Sequence, residues 1–339
     1  MSIRIGIMGF GRIGRNVFRL ARKRSGMEIR AIVDLADPDA LAYLLRFDTV
    51  VGRFEDPFTL EGGVMHFDGG KTAVPMVTAK APVDVDWSGL GVDLVVDATH
   101  RYRGRGELQG HLDRGAKRVL LASPPSDEVD LLVVRGVNDS ALSANHRIVS
   151  NASPTANCLV PVLKVLHDSF GVERGFMTAV HAYTNEQRLA DVPGSDLRRS
   201  RAAAENIIPA NTWAPLGLAK VFPALAGKID GITMNVPVAN GSNLDLTTEL
   251  KREVTAEEVN AAFKTAAQGA MKGLIEYQDQ PIVSSDVIEN PHSAVFDSLS
   301  TQLVGGTLLK TVSWYDNGWG YANRLVELIE RMAAQDGGR

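Results

Sequence analysis

The hexapeptide Gly9-Phe10-Gly11-Arg12-Ile13-Gly14 constrains the fold more than any other stretch of this 339-residue chain. It stands between an apolar run, "IRIGIM" (3–8), and the amphipathic "GRNVFRLARKR" (14–24), so it reads as the turn from a strand into a helix. Glycines at this spacing allow a tight turn, close approach of a pyrophosphate to the backbone, and close packing of helix on strand. The helix N-terminus then faces the phosphates. Asp34, 20 residues beyond Gly14, lies at the end of a second strand, "EIRAIVDL" (28–35). An acidic residue there accepts from ribose hydroxyls and repels a 2′-phosphate, so the expected cofactor is NAD rather than NADP. Gly9, Phe10, Gly11 and Asp34 are the candidate contacts.

The first half goes on alternating strands and helices. "DALAYLLRFD" (39–48) is helical, and buried strands at 91–99 and 117–123 flank a helix at 107–116. This order implies a Rossmann-type, doubly wound parallel sheet, with 51–90 as an antiparallel insertion. Beyond Val149 the pattern changes. A long helix (158–170) ends at Gly171, and strands at 174–184, 230–238 and 242–251 are expected to form one antiparallel sheet. Thr255 and Glu258 form a capping box for a helix at 255–268. The last helix (323–335) is expected to return to the first domain. The expected fold class is α/β: the doubly wound sheet plus an α+β catalytic domain with a large, mostly antiparallel sheet. The expected domains are 1–150 with 319–339, and 151–318.

A formal net charge of −4 argues against nucleic acid or an anionic membrane as partner. One cysteine permits no internal disulfide and fits a cytoplasmic location. No apolar run reaches the roughly 20 residues of a membrane span, and the opening residues read as strand and helix rather than as a signal peptide. His66, His100, His111, His146, His167 and His292 show no metal-ligand spacing, so no metal is expected.

From Ile3 to Arg324 the chain resembles the glyceraldehyde-3-phosphate dehydrogenases, with some similarity to the erythrose-4-phosphate dehydrogenases. The motifs carrying the resemblance are "GFGRIGR", "HRIVSNAS", "HAYTNEQ", "DLRRSRAAAENIIP", "VSSD" and "WYDNGWGYANR". The resemblance implies a homotetramer that binds NAD and oxidises an aldehyde phosphate through a cysteine thioester, which phosphate then cleaves. It implies NAD contacts at Arg12, Ile13, Asp34, Thr99, Ser123 and Asn317, with Asn317 on the nicotinamide carboxamide. It assigns His181 the place of the catalytic base. Ser153, Thr155, Arg199 and Thr212 match residues that hold the attacking phosphate, and Thr184 matches part of the substrate-phosphate site.

The chain departs from the family pattern at the centre of this chemistry. The family reads S-N-A-S-C-T-T-N-C, whereas this chain reads "SNASPTANC", with Pro154 in the place of the nucleophile. Proline brings neither a thiol nor a backbone N–H. The family uses that N–H as an oxyanion donor, and such a donor is typically worth about 3 kcal/mol. As local structure the residue fits, with Ser153 as N-cap and Pro154 at the first helical position. Cys158 lies one turn further, about 6 Å along the axis, and reads as a buried core residue. A family arginine that binds substrate phosphate falls at Asn235, and a family glycine falls at Trp213. The family's Ser-Thr-Gly reads Ala98-Thr99-His100, and the asparagines expected at 8 and 33 are Met8 and Val33. Arg101, Arg103 and Arg105 are open to two readings: a solvated helix entry, or a new anion contact beside the cofactor.

Three functions compete. The favoured one is an NAD-dependent oxidoreductase that transfers hydride without a covalent intermediate, with His181 as proton shuttle and a small anionic carbonyl or alcohol as substrate. The second is a non-enzymatic NAD-binding paralogue, regulatory or an assembly partner. The third, an unaltered glyceraldehyde-3-phosphate dehydrogenase, conflicts with Pro154.

Overall fold

The computed structural model describes residues 2–336; residues 337–339, included in the expected 319–339 segment, lie outside the described residues. The chain divides into two compact units. One runs to Val133 and adds Ala141–Ala152 and the chain from Ala322; the other comprises Val134–Ser140 and Ser153–Tyr321.

The first unit contains β1 (Ile3–Met8), α1 (Arg12–Arg22), β2 (Met27–Asp34), α2 (Pro38–Arg46), the short pair β3 (Phe47–Asp48) and β4 (Gly52–Arg53), then β5 (Phe58–Glu61), β6 (Val64–Phe67) and β7 (Thr72–Thr78). It continues with β8 (Leu94–Asp97), α3 (Arg105–Asp113), β9 (Arg118–Leu121), β10 (Leu131–Leu132) and β11 (Ile148–Ser150). Nine strands form one sheet in the order β10-β11-β9-β8-β1-β2-β7-β6-β5. It is parallel from β10 to β7, and β6 and β5 add an antiparallel edge. The 51–90 segment therefore extends the parallel sheet through β7 as well as supplying antiparallel strands. Every residue of β8 and β9 is buried, which is why they read as apolar runs without alternation. Arg118, like Asp97, is a charged exception. Its guanidinium is buried and donates to the carbonyls of His146, Met332 and Ser143.

The second unit follows with α4 (Pro154–Phe170), β12 (Val172–Ala182), β13 (Ile208–Asn211), α5 (Ala214–Val221), β14 (Ile229–Val236), β15 (Ser242–Leu250), α6 (Ala256–Gln268), β16 (Ile275–Gln278), β17 (Ala294–Val304) and β18 (Leu308–Tyr315); α7 (Trp319–Asp336) begins in this unit and ends in the first. Its seven-stranded sheet runs β13-β14-β12-β15-β18-β17-β16 and is largely antiparallel. Two neighbouring pairs are parallel rather than antiparallel: β16 with β17 and, against the expectation, β12 with β14. The chain between them is long enough to hold β13 and α5, and a connection of that length can cross over and return a strand in the same direction. In β15, Ser242, Leu244, Leu246, Thr248 and Leu250 are buried while the intervening residues are partly exposed. This two-residue period is that of a sheet with one face on a core.

Helix α4 starts at Pro154. The Ser153 hydroxyl accepts from Ala156 N at 3.1 Å, and Gly171 at φ 71° ends the helix. Thr255 caps α6 reciprocally: its hydroxyl accepts from Glu258 N, and the Glu258 carboxylate accepts from Thr255 N. Replacing an N-cap threonine by alanine typically costs about 1 kcal/mol. We expect Thr255→Ala to lower the urea midpoint by that free energy with an unchanged m-value. An unchanged midpoint would show that tertiary packing alone holds α6.

Candidate functional site

The first constellation lies at the C-terminal ends of β1, β2 and β8. Gly9 has φ 89°, and a Cβ on it would stand 2.7 Å from Thr99 N. A Cβ on Gly14 would stand 2.0 Å from Gly9 O, so α1 packs on the turn only because both residues are glycine. At Gly11 nothing lies within 4 Å of a Cβ position. That side of the turn is open, and Arg12 and Ile13 follow it as the first residues of α1. Asp34 is clamped by backbone: Oδ2 accepts from Phe10 N at 2.6 Å, and Oδ1 accepts from Leu35 N and Ala36 N. The carboxylate is thereby oriented at the end of β2 and keeps acceptor capacity for a ribose. The Ser123 hydroxyl is buried and has no hydrogen-bond partner among the described residues, the condition of a donor that a ligand completes. Glycine turn, oriented acid and orphaned hydroxyl together suit a dinucleotide.

The Thr99 hydroxyl is engaged within the protein. It donates to Asp97 Oδ1 at 2.7 Å and accepts from Arg101 N at 3.1 Å. Its hydrogen is spent inward, so backbone and methyl are what Thr99 presents. The arginines that follow are partly committed to local structure. Arg105 pairs with Asp130 at 2.6 Å, and its N–H goes to Asp127. Arg103 N donates to the Glu107 carboxylate, and Arg101 lies 5.7 Å from the Tyr102 ring centre. Arg105 thus conforms to the solvated helix entry.

The second constellation is in the other unit, at the C-terminal ends of β12, β14 and β18. His181 and Asn235 are register partners on adjacent parallel strands, as Ser242 and Tyr315 are on antiparallel ones. His181 Nδ1 lies 2.6 Å from Ala182 O. A carbonyl only accepts, so Nδ1 carries hydrogen and Nε2 is the basic nitrogen of the neutral ring. The Tyr315 ring stands 6.1 Å from His181, edge to face. The Tyr315 hydroxyl meets Thr155 Oγ1 at 2.9 Å, which ties the first turn of α4 to this row. Ser242 accepts from Ala182 N and lies 3.1 Å from Asn317 Oδ1, leaving the Asn317 NH₂ to donate elsewhere. Burial pushes the Tyr315 hydroxyl up from its ordinary pKa and does the same to the Cys158 thiol, which is fully buried. Sequence reasoning missed Tyr315 and Ser242 as connecting groups. Tyr315 sits inside the quoted "WYDNGWGYANR", whereas Ser242 is found only through strand register.

The remaining residues are engaged locally. The Thr184 hydroxyl is 3.2 Å from Gln187 Oε1. Thr212 Oγ1 accepts from Ala214 N. Arg199 is shared between Glu186 at 2.8 Å and Asp196 at 3.5 Å. An anion at Arg199 has to displace or outcompete two carboxylates. Trp213 finds room beside Gly217, where a Cβ would lie 2.3 Å from its ring. Among the described residues no group of three or more His, Cys, Asp or Glu side chains could hold a metal, and no helix is long and apolar enough to cross a membrane.

Comparison with known proteins gives a consistent assignment. The family described as "Glyceraldehyde 3-phosphate dehydrogenase, NAD binding domain" matches residues 3–105, and "Glyceraldehyde 3-phosphate dehydrogenase, C-terminal domain" matches 153–317. A glyceraldehyde-3-phosphate dehydrogenase of Mycobacterium avium is 47% identical over 334 residues, covering 97% of this chain and 98% of that protein. Glyceraldehyde-3-phosphate dehydrogenase 2 of Streptomyces avermitilis is 48% identical over 330 residues, with the same coverage. The Priestia megaterium protein of that name is 46% identical over 336 residues, covering 99% of both.

The clamped carboxylate of Asp34 predicts the choice of dinucleotide. In calorimetric titration NAD should bind at least about tenfold more tightly than NADP, since a 2′-phosphate meets a fixed negative charge. Equal or tighter NADP binding would show that Arg101 or Arg103 overrides Asp34.

Proposed function

The chain belongs to the glyceraldehyde-3-phosphate dehydrogenase family, and we propose that this member is an NAD-dependent oxidoreductase without the thioester chemistry. It transfers hydride directly to or from a small anionic carbonyl or alcohol. The observation that carries this reading is Pro154 at the first position of α4, in a chain whose single cysteine is buried one turn further on. A nucleophilic cysteine acts as its thiolate and needs a depressed pKa and access. Cys158 has the opposite: full burial and a thiol pKa pushed up. Proline also withholds an N–H from any oxyanion at that helix start.

Direct hydride transfer needs neither thiol nor oxyanion hole. Bound NAD supplies the hydride acceptor. When an alcohol is oxidised, its hydroxyl proton would pass to His181 Nε2. In the reverse direction the imidazolium returns that proton to the carbonyl oxygen. The bond from Nδ1 to Ala182 O orients the ring for both steps. Asn235 beside it can donate to, or accept from, the reacting oxygen. The Asn317 NH₂ is suited to the carboxamide oxygen of nicotinamide. Ser153 can still donate its hydroxyl hydrogen at the start of α4, a 17-residue helix with no acidic residue in its first turn, which favours an anionic substrate group. The local engagement of Thr155, Thr184, Thr212 and Arg199 favours a substrate other than a sugar phosphate bound in the family manner. It is also the observation that favours the second reading, a non-enzymatic NAD-binding paralogue.

The test combines three measurements. Iodoacetamide should leave the native protein unlabelled. Aldehyde phosphate plus inorganic phosphate and NAD should give no burst and no turnover. A screen of small phosphorylated or carboxylated aldehydes, ketones and alcohols should give a substrate whose rate falls by about 10²–10⁴ in His181→Ala with little change in NAD affinity. Robust phosphate-dependent turnover through a trapped Cys158 thioester would sink the proposal. A substrate indifferent to His181 would remove its acid–base role, and no substrate at all would favour the paralogue.

We also propose the family's homotetramer. Leu189, Leu197, Phe176 and Val304 of the second unit are largely exposed in the single chain, as residues destined for subunit contacts are. Sedimentation at the mass of one chain would contradict it.

A further inference from the structure

Four side chains of the first unit form a closed hydrogen-bond chain that the proposed reaction does not use. Trp87 Nε1 donates to His111 Nδ1 at 3.0 Å. His111 Nε2 meets Asp97 Oδ2 at 3.1 Å. Asp97 Oδ1 accepts both the N–H of Thr99, at 3.0 Å, and its hydroxyl, at 2.7 Å. Trp87, His111 and Asp97 are each 0% exposed. The direction of every bond is forced. An indole only donates, so Nδ1 of His111 is bare, its hydrogen sits on Nε2, and the Asp97 carboxylate receives it. A buried chain of this kind is stabilising only when every member is satisfied, and here each one is.

We propose that Trp87, His111 and Asp97 are positioning residues for NAD binding: they fix Thr99, and through it the backbone that lies behind Gly9. The two ends of the chain meet β1 and the turn that follows it. At one end the Trp87 ring fills the space left by Gly6 of β1, where a Cβ would stand 2.5 Å from it. At the other, the backbone of Ala98 and Thr99 fills the space left by Gly9, where a Cβ would stand within 2.9 Å of three of its atoms. A shift of the β8 end therefore moves the glycine turn directly. The chain also borders a strained backbone conformation. His100 has φ 58°, a left-handed backbone that disfavours a non-glycine residue by about 1 kcal/mol or more. Thr99 Oγ1 secures it from both sides, donating to Asp97 and accepting from the N–H of Arg101. The single His111 tautomer thus sets the orientation of Asp97, which sets that of Thr99. The sequence offers no sign of this. His111 is 24 residues from Trp87 and 14 from Asp97, and its chemistry comes entirely from its burial.

The proposal rests on the reading that the Gly9–Gly14 turn holds NAD, and Asp34→Ala tests that reading separately. In the full-length protein, NAD titrations of His111→Leu, His111→Gln and Thr99→Val are compared with melting temperatures. His111→Leu cuts the chain and should weaken NAD at least tenfold. Glutamine can accept from the indole and donate to Asp97, so His111→Gln should recover most of the affinity. Thr99→Val removes the hydroxyl link and should weaken NAD in the same way. In ¹⁵N spectra of the wild type, His111 should show a bare Nδ1 and a protonated Nε2. Variants that melt lower yet bind NAD like wild type overturn the proposal. So does a loss that glutamine fails to restore, which would assign the effect to packing. If His111→Leu does not fold, Thr99→Val decides, and wild-type NAD affinity there is refutation. Unchanged NAD binding in Asp34→Ala overturns the reading of the turn itself.

Discussion

The close approach of Gly14 to the carbonyl of Gly9 organises everything around it in the first unit. A single methyl group at Gly14 would sit 2.0 Å from that oxygen, so α1 can begin where it does only with no side chain there. With the helix seated, β1 ends against the backbone of Thr99, and Phe10 N reaches Asp34. The open position at Gly11 then faces outward. Backbone donors, an oriented acid and unobstructed space result from one steric condition.

The second unit is organised by a row across its sheet. His181 and Asn235 are adjacent by register, Ser242 and Tyr315 likewise, and Ser242 accepts from Ala182 N. Strand pairing brings together residues from four separate segments of sequence. Thr155 joins the row through Tyr315, so the start of α4 is mechanically connected to the imidazole even with a proline there. Such a connection is held in place, because a buried phenol and its hydroxyl partner would each be costly to strand.

Pro154 and Trp213 illustrate two ways of accepting a foreign residue. Proline needs no compensation, since the first helical position asks for no N–H and Ser153 already caps the helix. Tryptophan needs the absence of a Cβ at Gly217, four residues on and on the same face of α5. The first is accommodated within its own helix turn, and the second depends on a partner.

Sequence alone was enough for features whose physics is local. The glycine turn with Asp34, the capping box of Thr255 and Glu258, and proline as the opening residue of α4 each depend on neighbours a few residues away or on one strand–turn–helix unit. The α/β class followed from the alternation of apolar runs. Tertiary structure decided what depends on distant partners. It made β12 parallel to β14, because the direction of a strand depends on the path of its connection and not on its own residues. It turned the Thr99 hydroxyl inward to Asp97, divided Arg199 between Glu186 and Asp196, and brought Trp87 to His111. Hydrogen bonds of this kind are set by burial and register, which place side chains against residues that no spacing in the sequence predicts.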